Sequence, residues 1–118
     1  MIPKFMLKKL YVQGSLKQDE EEYTFQLLNN LYPGTVKEVE YIKVDDQELD
    51  HKTVSIFVNE NKIEVADISE KNPFKLTKGD TFVFKVKGKL SPGAHTFGFS
   101  LKTIEAGTIA FDVEDKLE

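Results

Sequence analysis

An all-β domain is what the sequence predicts, built as a two-sheet antiparallel β-sandwich of immunoglobulin-like topology with about eight strands. Three observations lead there. Apolar and polar residues alternate with period two along most of the 118 residues, the pattern of strands with one buried and one wet face. Nine Phe and four Tyr accompany no Trp, and Phe and Tyr favour a pleated, half-buried surface over a helix. Turn signals containing Pro, Gly, Asn or Asp interrupt the alternation at spacings of roughly 8 to 15 residues, which suits short strands joined by tight connections.

Taken in order, Leu10 and Val12 belong to a first strand, and Tyr23, Phe25 and Leu27 alternate with Thr24 and Gln26 in a second. The acidic run at 18–22 between them reads as a solvated loop or the polar start of a strand, without the spacing or the Gly of an EF-hand. Tyr32-Pro33-Gly34 makes a turn, because Pro fixes φ and Gly accepts the positive φ of a type II turn. In the third strand Val39 and Tyr41 share one face while Ile42 and Val44 share the other. That strand is either buried on both sides or bulged. Asp45-Asp46 makes a tight connection after it. Val54, Ile56 and Val58 then form a hairpin with Ile63 and Val65 around Asn59-Glu60-Asn61. Residues 66–73 break the pattern and read as a crossover between sheets, holding at most one helical turn. Phe82, Phe84 and Val86 come next, then the turn Ser91-Pro92-Gly93, then Phe97, Phe99 and Leu101. Ile109, Phe111 and Val113 repeat the alternation after Ala106-Gly107, and 114–118 look frayed. Burying Phe82, Phe84, Phe97 and Phe99 contributes roughly 1.5–3 kcal/mol each, so these strands anchor the predicted core.

Composition sets the limits on function. The length fits one domain over residues 1–118, and 40% hydrophobic with 31% charged residues is a globular balance. A net charge of −4 without a Lys/Arg stripe disfavours nucleic acid. No cysteine is present, which removes disulfides, thiolate nucleophiles and Cys-based zinc sites. Lys8 and Lys9 interrupt the N-terminal apolar residues before a signal-peptide core can form. No run of apolar residues is long enough to span a bilayer, so the expected location is cytoplasmic.

The residue pattern assigns no catalytic, cofactor-binding or metal-ligating residue. His51 and His95 lie far apart and lack a partner His at metal spacing, the serines sit in no nucleophile elbow, and no Gly-rich loop leads into a helix. His51 has Asp50 beside it, but neighbours on a strand point to opposite faces. The candidate contact surface is Tyr32, Pro33 and His95, because turn-borne aromatic and imidazole groups are exposed more often than those in strands.

Three stretches recur in an order that resembles a known family. The run from Val39 through Asp45-Asp46 to Leu49 looks like a hairpin of the small, beta subunits of bacterial C-glycoside deglycosidases. Phe57-Val58-Asn59 with Asp67-Ile68 is similar to that family's next strand and loop. Leu76-Thr77-Lys78-Gly79-Asp80 and Gly88-Lys89-Leu90-Ser91-Pro92-Gly93-Ala94-His95 resemble its next strand opening and turn. The likeness covers residues 34–101, with Asp46 in place of a turn Gly and Pro33 in place of an Arg. It implies a non-catalytic accessory subunit that packs on and stabilises a larger metal-dependent TIM-barrel subunit. The complex would be a carbon–carbon lyase acting on C-glycosides. The chain would hold no cofactor of its own, any divalent metal belonging to the partner. The alternative is a stand-alone homo-oligomeric module that binds carbohydrate or protein, or that pairs its edge strands.

Overall fold

The computed structural model of the chain describes residues 2–118. A short helix, α1 (Lys4–Leu7), runs into a 3₁₀ turn over Lys8–Leu10. Ten strands follow among the described residues: β1 (Lys17–Asp19), β2 (Glu22–Leu28), β3 (Gly34–Val44), β4 (Gln47–Glu48), β5 (Val54–Val58), β6 (Asn61–Glu64), β7 (Phe74–Leu76), β8 (Thr81–Lys87), β9 (Gly93–Thr103) and β10 (Gly107–Leu117). Two further 3₁₀ turns, His51–Thr53 before β5 and Val65–Asp67 after β6, place His51 and Val65 in turns rather than in the strands expected for them. One sheet has the order β1-β2-β8-β5-β6 and the other β10-β9-β3-β4, with β7 paired to the start of β3. Every pairing is antiparallel, so the molecule is an all-β, two-sheet sandwich as the alternation predicts.

The alternating aromatics fill the space between the sheets. Phe25, Phe97 and Phe99 have no exposed surface, and Phe82 and Phe84 are also buried. Phe25 meets Phe84 of its own sheet at 5.2 Å between ring centroids and Phe97 of the facing sheet at 4.9 Å. Phe99 in turn meets Phe111 at 5.1 Å. Offset and tilted rings at such distances gain about 0.5–1.5 kcal/mol per pair beyond area burial.

Several local expectations are corrected. Leu10 and Val12 form no strand: Leu7 and Leu10 lie three positions apart, so a helical turn directs both towards the core while Lys8 and Lys9 stay wet. The count of ten strands rather than eight comes from losing that first strand and gaining β1, β4 and β7, which are too short to show periodicity. Residues 114–118 are not frayed, for β10 continues to Leu117, which is buried opposite Gly93. Gly34 opens β3 without the left-handed φ expected of it, whereas Asp45 and Asp46 (φ 51° and 68°) and Asn59 and Glu60 (φ 47° and 70°) make the turns. Within β3 the open choice resolves as a bulged strand, with register shifts after Val36 and Val39. The chain does cross between sheets over 66–73, passing from β6 to β7.

Candidate functional site

The two ends of the sandwich are built differently. At the end where β3 starts, an apolar cavity of about 70 Å³ lies between the sheets. Tyr32, Pro33 and Ala106 line its outer part, and Ile42, Ile56 and Phe84 its inner part. Buried Asn29 shapes the β2–β3 loop: its Nδ2 donates to the carbonyls of Tyr32 (3.0 Å) and Leu76 (2.9 Å), and its Oδ1 accepts from the Leu31 amide (3.3 Å). Across the opening, Glu105 of the β9–β10 turn accepts from the Thr35 amide (2.7 Å) and hydroxyl (2.8 Å). The hydroxyl bond first, then the amide bond, hold its carboxyl below the usual carboxylate range. Ile2, Leu7 and Leu10 of the N-terminal segment close the remaining side. The exposed large hydrophobics Phe5 (66%), Tyr32 (63%) and Ile104 (64%) all belong to segments that border this cavity.

At the opposite end the ties are polar. His95 Nδ1 lies 2.6 Å from Asp45 Oδ2, and its Nε2 lies 2.6 Å from the Ser91 carbonyl oxygen. Both partners are acceptors, so the protonated ring, with a hydrogen on each nitrogen, satisfies both at once. The Ser91 carbonyl first and the Asp45 carboxylate second raise its pKa above 6.5, against a smaller opposing cost of burial. Asp45, bonded to His95 and to the Thr96 amide (3.0 Å), is held below 3.8. Asp115 sits beside His95 across the β9–β10 ladder. It accepts from the Tyr11 hydroxyl (2.8 Å) and from the amides of Gly14 (3.1 Å), Leu16 (3.2 Å) and Lys116 (2.8 Å). Burial pushes this carboxyl up, and the donors outweigh it, Tyr11 foremost, to leave it below its ordinary value. Tyr23, desolvated and near Asp45, is pushed up to about 12.

The structure therefore divides the expected contact residues. Tyr32 and Pro33 are exposed at the cavity, whereas His95 is only 7% exposed and lies at the other end of β3, roughly 30 Å away for a strand of that length. His95 is corrected from a surface group to an internal tie. Asn29, Asp45, Glu105 and Asp115 were not expected as site residues. A short polar residue ending an apolar run was the only available signal for Asn29; the others act through partners 50 to 104 positions distant. Among the described residues, every buried side-chain nitrogen and oxygen has a hydrogen-bond partner. No group of three or more His, Asp or Glu among them is placed to hold a metal, and no helix is long and apolar enough to cross a membrane. A second, open groove of about 570 Å³ between the β5–β6 hairpin and residues 67–77 is lined by charges of both signs, including Lys62, Asp67, Lys75 and Asp80.

Fold and cavity together define an all-β sandwich domain with one apolar, open end. The chain belongs to the family described as hydroxymethylglutaryl-CoA reductase, N-terminal domain, whose model matches residues 6–118. No curated protein matches the sequence. The family match overturns the resemblance to the small subunits of C-glycoside deglycosidases. The stretches that carried that likeness are the Asp45-Asp46 turn, the β5 strand and the Ser91-Pro92-Gly93 turn, elements that many antiparallel sandwiches need for backbone reasons alone. The expected TIM-barrel partner rested on that likeness and loses its basis with it.

Proposed function

We propose that this chain is a non-catalytic accessory domain that works by binding, with the Tyr32 end as its binding end. One observation carries the reading: the apolar cavity lies at an end where Tyr32 lines it exposed and Phe5 and Ile104 stand exposed on the bordering segments, while the buried acid and imidazole at the opposite end are committed to holding loops. Exposed apolar groups gathered around a concave apolar space are a mark of ligand or partner sites. The family description, an N-terminal domain of a reductase, supports an accessory rather than a catalytic role.

Calorimetric titration with 1-octanol, a neutral alkyl probe, tests this. The wild-type chain should give saturable binding, and Ala106→Trp, a substitution at an exposed lining residue, should abolish it without changing the urea midpoint. Absence of saturable binding to the wild type, or equal binding by the variant, would remove the Tyr32 end as the binding end.

A further inference from the structure

We propose that the cavity at the Tyr32 end accepts the tail of a straight-chain alkyl carboxylate, whose head is met by Lys4, Lys8 and Lys9 on the segment that closes the cavity. This rests on the reading of the Tyr32 end as the binding end and adds the ligand's chemistry.

The cavity's shape argues for a chain. Its lining runs from Pro33 and Ala106 at the surface to Ile42 and Phe84 in the middle of the sandwich, yet its volume is only about 70 Å³. That is about half the size of an engineered apolar cavity that takes benzene, and here it is spread over a long path. As it stands the space takes neither a ring nor a whole alkyl tail; only the slim end of a chain enters it, and the rest of a tail fits where Ile2, Leu7 and Leu10 give way. The lining is also mostly aliphatic and aromatic, and its two buried polar members are already engaged: Asn29 spends both amide protons and its oxygen on Tyr32, Leu76 and Leu31, and the Thr103 hydroxyl donates to the Gly107 carbonyl and accepts from the Ala106 amide. A polar ligand would find no partner inside.

The closing segment supplies the gate and the charge. Backbone hydrogen bonds of residues 3–8 run within the segment, from Met6 and Leu7 to Pro3 and from Tyr11 to Lys8. Among the described residues its one polar tie to the body is Asn30 Nδ2 to the Lys9 carbonyl, at a long 3.5 Å. Firm anchorage begins at Tyr11 and Val12, through Asp115 and the Gln26 carbonyl. Residues 2–10 are thus held by the packing of Ile2, Leu7 and Leu10 on the cavity, and an alkyl tail can take over those contacts as the segment shifts. Lys4, Lys8 and Lys9 are exposed on it, and among the described residues no carboxylate lies within ion-pair distance of them. On a chain of net charge −4 this is a local excess of positive charge. Glu105 is the opposing carboxylate at the mouth, with its oxygens turned to Thr35.

The test is a paired titration of the full chain with octanoate and 1-octanol below their micellar or solubility limits. At low salt, octanoate should bind about tenfold tighter than 1-octanol, and the gap should close as salt rises. Each carbon removed from the carboxylate should weaken binding about fourfold. The triple variant Lys4→Glu, Lys8→Glu, Lys9→Glu should lose the preference for octanoate and keep the affinity for 1-octanol. If 1-octanol binds and octanoate binds no tighter, the proposed ligand class is overturned while the binding end stands. If neither binds, both fall. Heat only at micellar concentrations would mean surface adsorption and would also overturn it.

Discussion

The His95 end and the Tyr32 end of the same sandwich solve opposite problems. At the His95 end, charged and neutral donors from distant parts of the chain converge on two carboxylates: Asp45 bonds His95 and Thr96, and Asp115 gathers Tyr11, Gly14, Leu16 and Lys116. At the Tyr32 end the sheets part around an apolar cavity, and the segment across it is held by packing. A buried carboxylate surrounded by donors tolerates no change, because removing it strands every donor. An apolar cavity leaves stability unrealised and so keeps room for something else. The difference teaches that the locked end serves the fold, while the loose end has the room that the proposed binding needs.

Substitutions can break that contrast, and the largest effect belongs to the locked end. Asp115→Ala should cost about 3 kcal/mol in urea unfolding, since it leaves buried amides and the Tyr11 hydroxyl without an acceptor. A smaller loss, set by how far the folded state lowers this carboxyl's pKa, should develop in the wild type at acid pH. A carboxyl held below 3.8 contributes stability above that value and loses it as pH falls through its lowered folded pKa.

The His95–Asp45 pair should show a coupling of about 1 kcal/mol in a double-mutant cycle of His95→Gln and Asp45→Asn, reduced from a buried ion pair's worth because Asp45 is half exposed. Its pH window is set by the two shifts. His95, raised above 6.5, contributes fully below 6.5 and loses the contribution as pH rises through its higher folded value; Asp45 contributes fully above 3.8 and loses it below. The coupling should therefore be complete from 3.8 to 6.5 and fade on either side. At the loose end, Val36→Ile adds a methyl to the cavity wall and should stabilise by about 0.5–1 kcal/mol while weakening octanoate. Tyr32→Ser, at an exposed loop position, should shift stability by less than about 0.5 kcal/mol.

Local signals were legible in the sequence and distant pairings were not. Phe25, Phe82, Phe84, Phe97 and Phe99 could be recognised as core because period-two alternation is a local signal that the longer strands write in full. The Asn59-Glu60 hairpin was equally plain, and Pro33 marked the loop that borders the cavity. The N-terminal segment was misread because seven residues are too few to separate a helical turn from a strand. His95 was misjudged because its burial depends on Asp45, 50 positions away, and no local pattern announces such a pairing. The cavity was invisible for a different reason: it is a shortfall of packing between Ile42, Ile56 and Phe84, each of which reads as ordinary core.

The most direct measurement is a backbone amide NMR spectrum of the ¹⁵N-labelled chain recorded with increasing octanoate. Shifts should be confined to residues 4–10, 31–36 and 103–109, with Asp45, Ser91, His95 and Asp115 unmoved. Shifts centred on the His95 end, or spread evenly over the molecule, would contradict a loose, ligand-binding Tyr32 end.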